Sequence, residues 1–312
     1  MEKRTAGMRL DDYEPGNDIR DLGRSGGGFG GLGGGGGGGG GIGGLLIGLL
    51  PMLLGRKLGC GTLLLIAVAG YFLLNSGMLS MSGPTSAPSE RSAPSGANIA
   101  CDTQAERFAC NVFGSTHQVW GGLIQNYQQP TLNFFTDQNQ SACGAAQAAM
   151  GPFYCPADQG VYIDTSFFDE LGQRFGAAGD AAQAYVVAHE VGHHIQTISG
   201  IADQVRRAQA RASRTEGNQL QVRMELQADC YAGVWAARAR TRDGRSAIEP
   251  GDIEESMRAA NAIGDDTLMR SAGQRPVPES FTHGTSEQRM TWLRRGLQSG
   301  DPRQCDSFGA AI

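Results

Sequence analysis

The stretch VVAHEVGHHIQTISG, residues 186–200, carries three of the five histidines of this 312-residue chain, with a glutamate beside the first. On a helix, His189 and His193 lie four residues apart and project from one face, so two imidazole nitrogens can reach a single ion without bending the backbone. His-Glu-x-x-His at this spacing reads as a zinc site. Glu190 lies about 100° round the helix from His189, beside the metal, where its carboxylate can take a proton from a water molecule, and it is the general-base candidate. His194 diverges from His193 by the same angle, so a structural hydrogen bond to a neighbouring loop is expected of it, not ligation. Gly192, without a side chain, lets another element pack close to the helix.

Catalytic zinc takes three protein ligands and keeps a position for water, so a third donor is needed downstream. The segment ELQAD, residues 225–229, supplies one. Glu225 and Asp229 are again four apart on an expected helix, so that Glu225 can ligate while Asp229 accepts the spare N–H of a ligating histidine. Glu216 and the Glu254/Glu255 pair compete, but Glu225 stands among Leu226, Ala228, Cys230 and Ala232, where an unpaired charge is costly. The expected centre is one Zn2+ per chain on His189, His193 and Glu225, with Asp229 behind them.

The elements that must position these residues follow from apolar periodicity. An amphipathic helix is expected within 102–127, from Phe108, Val112, Val119, Leu123 and Ile124. Short β-branched and aromatic runs at 131–136 and 160–168 predict a small sheet of about three strands. Asp180 is the expected cap of the histidine helix, which Gly200 stops. Further helices are expected over 218–240 and 252–263.

Residues 1–40 are polar and then almost all glycine, which predicts a disordered leader. Residues 58–81 contain no charged side chain and are long enough for a transmembrane helix. A secretory signal would begin nearer Met1 and have a shorter apolar core. The run at 41–57 is short, glycine-interrupted and holds Pro51, so an interfacial segment is expected there. Arg56 and Lys57 before the span place the leader in the cytoplasm, and the domain outside it, periplasmic or extracellular, in a single-pass topology. A Ser/Pro-rich linker, 82–98, leads to a folded domain over 99–312.

Six of the seven cysteines lie in that domain. Cys101/Cys110 and Cys143/Cys155 are close pairs that suggest short loops, leaving Cys230 to join Cys305, and three disulfides fit an oxidising compartment. Residues 101–312 hold 18 Lys+Arg against 24 Asp+Glu, a net charge of −6, and no basic stripe with interleaved aromatics. Nucleic acid is not an expected partner.

AYVVAHEVGHHIQ with ELQADCYAGVWA resembles the YpfJ-like family of bacterial neutral zinc metallopeptidases. SACG at 141–144, GPFYCPAD at 151–158, YIDTSFFDEL at 162–171 and FTHG at 281–284 extend the likeness over most of 100–306. With the elements above, the resemblance implies an α+β fold: a mostly helical, zincin-like metallopeptidase domain with a small antiparallel or mixed sheet, behind a disordered leader and a transmembrane helix. It also implies a membrane-anchored peptidase acting on a peptide or protein substrate, with Glu190 as base.

A tetrahedral oxyanion needs a further donor, and His283 leads Tyr162 and Tyr231 for that role. Against His283 stands a plainer role, filling a turn while Thr282 or Thr285 caps the helix SEQRMTWLRRGL. GVYID is the expected sheet edge for an extended substrate. The same residues could serve a hydrolase of non-peptide or cell-wall amides. A non-catalytic, membrane-tethered zinc-binding module is the other alternative, although a structural site favours four closed protein ligands and has no use for a base.

Overall fold

The computed structural model describes residues 8–10, 13, 18–23, 100–249 and 251–312. The expectations for 41–57, 58–81 and 82–98, and for the rest of the leader, lie outside the described residues. Among the described residues no helix is long and apolar enough to cross a membrane.

The leader departs from its expected disorder where it is described. Ile19–Asp21 forms a strand, β1, parallel to β2, Thr131–Phe134. Met8 and Leu10 are buried in the same core as the helices. Composition concealed this, because three strand residues in a polar setting become favourable only when a partner about a hundred residues away supplies the hydrogen bonds.

β3, Gln138–Ser141, and β4, Gly144–Gln147, make a separate antiparallel pair, and β5, Phe153–Cys155, runs antiparallel to β6, Gly160–Ile163. The main sheet therefore has the order β1-β2-β6-β5 and is mixed, since β2 and β6 are parallel. The expected edge, GVYID, is not an edge. It contains β6, which is paired on both sides and buried along its length, whereas β5 lies at the margin.

α1, Gln104–Leu123, is capped by Thr103, whose hydroxyl accepts the Glu106 N–H at 3.1 Å. Its buried face is Ala109, Val112, Phe113 and Trp120. α2, Ser166–Gln173, follows the sheet, and then α3, Asp180–Ile198, carries the histidines through the core. The cap of α3 is Gly179, at φ 136°, not Asp180, which takes the first helical position and accepts the Met8 N–H at 2.7 Å. After α4, Ile201–Gln209, comes α5, Arg214–Arg238, which begins earlier than expected because Ser213 and Glu216 form a capping box. That box engages the Glu216 carboxylate and removes it as a ligand candidate. α6, Asp252–Ala262, α7, Asp265–Ser271, and α8, Ser286–Ser299, complete the chain.

Two close approaches set the helix spacing. A Cβ on Gly192 of α3 would lie 3.0–3.2 Å from the Ala228 backbone and side chain of α5, as the bare position in the motif suggested. Between α5 and α8 the contact is tighter: a Cβ on Gly296 would fall 1.9 Å from Cys230 O, and one on Gly233 2.2 Å from Leu293 O. All three expected disulfides are present, Cys101–Cys110, Cys143–Cys155 and Cys230–Cys305. The last ties α5, beside Asp229, to the carboxyl-terminal segment.

Leu10 is 1% exposed, so Leu10→Ala leaves a cavity in the domain core. Urea unfolding of the full chain is expected to show a loss of about 2–5 kcal/mol. An unchanged midpoint would mean that the leader is no part of the folded unit.

Candidate metal centre

The crossing of α3 and α5 brings the expected ligands together. His189 Nε2 is 3.1 Å and His193 Nε2 3.5 Å from Glu225 Oε2, and one donor atom from each residue lies within 4.8 Å of the others. With metal–donor bonds of about 2.0–2.1 Å, the edge of a tetrahedron around zinc is about 3.3 Å. The spacing and the two-nitrogen, one-carboxylate chemistry therefore fit a zinc ion. His189 and Glu225 are buried, and His193 is partly open to a cleft of about 590 Å³.

Hydrogen bonds behind these side chains fix which ring nitrogen is free to face an ion. His189 Nδ1 is 2.8 Å from Asp229 Oδ1, an acceptor only, so Nδ1 carries the proton and Nε2 is the free donor. His193 Nδ1 donates to Gln196 Oε1 at 2.8 Å, while Gln196 Nε2 donates to Met224 O and Gln227 Oε1 across on α5. Gln221, one turn before Glu225, donates to its Oε1 at 2.8 Å. Asp229 thus lies behind His189, on its Nδ1.

Gln196, Tyr185 and Arg289 were not singled out in the sequence. Arg289, 2% exposed on α8, donates from Nε and from one terminal nitrogen to the two Asp229 oxygens, both at 2.9 Å. The same terminal nitrogen reaches Tyr185 OH at 3.0 Å, and Tyr185 OH donates to Asp229 Oδ1 at 2.5 Å. Asp229 is consequently held from three sides and cannot swing away from His189. The only sequence signal for Gln196 was its i+3 spacing from His193, and for Tyr185 its i−4 spacing from His189.

Burial by itself would lower both imidazole pKa values, but the carboxylates prevail. The Asp229 charge and hydrogen bonds push His189 up to about 10, and Glu225 raises His193. Burial would raise Glu225 and Asp229; instead the imidazoles hold Glu225 well below the usual carboxylate range, and Arg289 with His189 holds Asp229 at about 2. Glu190 differs, since burial raises it by more than His193 and His189 lower it. The pocket is electrostatically poised for a cation.

His194 is not a ligand. Its Nε2 donates to Gln128 O at 2.7 Å and its Nδ1 accepts from Tyr154 OH at 3.1 Å, a structural link to a loop and to β5. Tyr162 bonds Asp158 at 2.8 Å and Tyr231 packs edge-on against Trp120; neither lines the cleft. His283 does line it and is exposed. Its Nδ1 lies 3.2 Å from Asp265 Oδ1, and Asp265 Oδ2 accepts the N–H groups of Thr282, His283 and Gly284. Thr285, not Thr282, caps α8, in a capping box with Gln288. Asp265, which fixes this loop, was not anticipated.

A family model described as "Putative neutral zinc metallopeptidase" matches residues 8–308. The chain is 44% identical over 261 residues to "Uncharacterized protein YpfJ" of Escherichia coli (strain K12), covering 82% of this chain and 88% of the relative. It is 43% identical over 219 residues to "Uncharacterized protein Rv2575" of Mycobacterium tuberculosis (strain ATCC 25618 / H37Rv), covering 66% and 73%. No solved structure matches it.

A cation must displace the protons that the carboxylates draw onto His189 and His193, so zinc binding is expected to release protons and to strengthen as pH rises through neutrality. Calorimetric titration in buffers of different ionisation enthalpy measures the release; none at pH 7 would contradict this charge arrangement. Asp229→Ala is expected to weaken zinc binding about 10–100-fold in chelator competition. Wild-type affinity in that variant would remove Asp229 from its orienting role.

Proposed function

The chain belongs to that family of neutral zinc metallopeptidases, and from this we propose that it hydrolyses peptide bonds, using one zinc ion per chain on His189, His193 and Glu225. The observation that carries the reading is the convergence of two imidazole Nε2 atoms and the Glu225 carboxylate in the cleft, with the Glu190 carboxylate buried alongside. Bound there, zinc supplies Lewis acidity, bringing the pKa of a water toward about 7 and polarising a carbonyl.

Glu190 takes the proton of the attacking water and returns it to the leaving amine nitrogen. That role suits a buried carboxylate whose environment favours the protonated form more than solvent does. His283, oriented through Nδ1–H by the Asp265 carboxylate, donates from Nε2 to the oxyanion that develops on the carbonyl oxygen as the imidazolium, the form in which both ring nitrogens carry a proton. Asp229, Arg289 and Tyr185 keep His189 in its metal-facing orientation throughout.

An extended peptide is the substrate that the cleft favours. β5, at the sheet margin, contributes Phe153 and Tyr154 to the cleft wall, so a substrate main chain can add to it as a further strand. Phe167, Phe175 and Leu268 line the same cleft and offer apolar surface to side chains flanking the scissile bond. Three disulfides suit work in an oxidising compartment outside the cytoplasm.

Cleavage of a random peptide library by the zinc-loaded protein tests this reading. Glu190→Gln is expected to retain zinc and lose about 10²–10⁴-fold in kcat. His283→Ala is expected to lose about 10²–10³-fold in kcat with little change in KM. Undiminished hydrolysis by Glu190→Gln would eliminate the mechanism.

A further inference from the structure

The two carboxylate oxygens of Glu225 have different partners. Oε2 faces both imidazoles, 3.1 Å from His189 Nε2 and 3.5 Å from His193 Nε2. Oε1 instead accepts a hydrogen bond from Gln221 Nε2 at 2.8 Å. Gln221 stands one turn before Glu225 on α5, the spacing at which helical side chains meet, and lines the cleft. Its amide is oriented from the other side. Gln209, the last residue of α4, donates from Nε2 to Gln221 Oε1 at 3.4 Å and to Gly217 O at 3.2 Å. With its own oxygen engaged as an acceptor, Gln221 presents N–H and not oxygen to Glu225. Donation therefore runs one way, from Gln209 through Gln221 to Glu225 Oε1.

A carboxylate can bind a metal through one oxygen or through both. Two imidazole nitrogens and Oε2 make three protein donors and leave a tetrahedral position for water, as catalytic zinc requires, whereas Oε1 in addition would make four. The hydrogen bond from Gln221 stands against that second oxygen. Glu225 is only 5% exposed, so an Oε1 without Gln221 would be a buried acceptor in need of a partner, and a bound cation would draw it in. Asp229 on His189 and Gln196 on His193 each fix the orientation of a ring. Gln221 differs, because it governs how many atoms its partner offers.

We propose that Gln221, its amide turned by Gln209, is a positioning residue that holds Glu225 to ligation through Oε2 alone and so keeps a coordination position open at the metal. This role rests on zinc binding at His189, His193 and Glu225, and not on a peptide as the substrate. Neither glutamine touches the ion; both act through the Glu225 carboxylate. The end of α4 thereby takes part in the centre, although none of its residues is a ligand.

X-ray absorption of the zinc-loaded full chain separates the two modes, because ligation through both oxygens adds a donor, lengthens the mean zinc–oxygen distance and brings the carboxylate carbon in close behind them. The test compares wild type with Gln221→Met, Gln209→Glu and Gln209→Lys, with near-UV circular dichroism as the check on folding. Gln221→Met keeps the length of the side chain without its amide. Gln209→Glu offers only an acceptor, which draws the Gln221 N–H groups away from Glu225, whereas Gln209→Lys keeps a donor. Wild type and Gln209→Lys are expected to show oxygen donors at about 2.0–2.2 Å without the close carbon. Gln221→Met and Gln209→Glu are expected to gain the extra oxygen and the close carbon, while zinc affinity in chelator competition stays within about 10-fold of wild type, since the second oxygen offsets the lost hydrogen bond. Should Gln221→Met lose the native dichroism, the Gln209 pair decides. Two-oxygen ligation in wild type, or a one-oxygen shell in Gln221→Met, would overturn the proposal alone. So would weakened zinc binding with an unchanged shell, the result of a merely structural role. A wild-type shell without paired imidazoles would remove the zinc reading along with it.

Discussion

The metal centre depends on how closely two helices can approach. His189 and His193 on α3 and Glu225 on α5 converge only because Gly192 presents no side chain to Ala228, where even a methyl group would meet backbone at 3.0 Å. Helix axes ordinarily stand about 8–10 Å apart according to the side chains between them. A larger residue at the crossing would separate the two donor sets while leaving each helix intact. The rest of the fold secures this crossing. Gln196 bridges from α3 to Met224 and Gln227 on α5, the Cys230–Cys305 disulfide holds α5 to the carboxyl-terminal segment, and the Gly233/Gly296 contact seats α8 close enough for Arg289 to reach Asp229.

Close packing also concentrates charge. Glu190, Glu225 and Asp229 are all buried near the imidazoles, and burying carboxylates is unfavourable unless each is paired and hydrogen-bonded. Arg289 answers Asp229, and Gln221 and the imidazoles answer Glu225. A divalent cation on His189, His193 and Glu225 would complete this pairing, which gives so polar a cluster a reason to lie between otherwise apolar helices.

The grouping of His189, His193 and Glu225 was legible in the sequence because helical periodicity fixes what four-residue spacing does: His189 with His193 and Glu225 with Asp229 are local facts that survive any tertiary arrangement. The disulfide pairing was legible for a similar reason, two short loops leaving one pair over. Arg289 and Tyr185 were not, since their partnership with Asp229 exists only after α8 packs on α5. The order of strands was hidden likewise, so that GVYID looked like an edge although β5 covers it. β3 and β4, QNQS and GAAQ, have no β-branched residue and pair with each other across a two-residue turn, whereas β1 is three residues in a leader whose composition speaks for disorder and becomes a strand through long-range hydrogen bonds to β2.

The central claim is that one zinc ion sits between α3 and α5 on two histidines and a glutamate. X-ray absorption at the zinc edge of the purified, metal-loaded protein tests it most directly. The account predicts a first shell of nitrogen and oxygen donors at about 2.0–2.1 Å with the outer-shell signature of two imidazoles. A shell containing sulfur, or one without the paired imidazole signature, would contradict it.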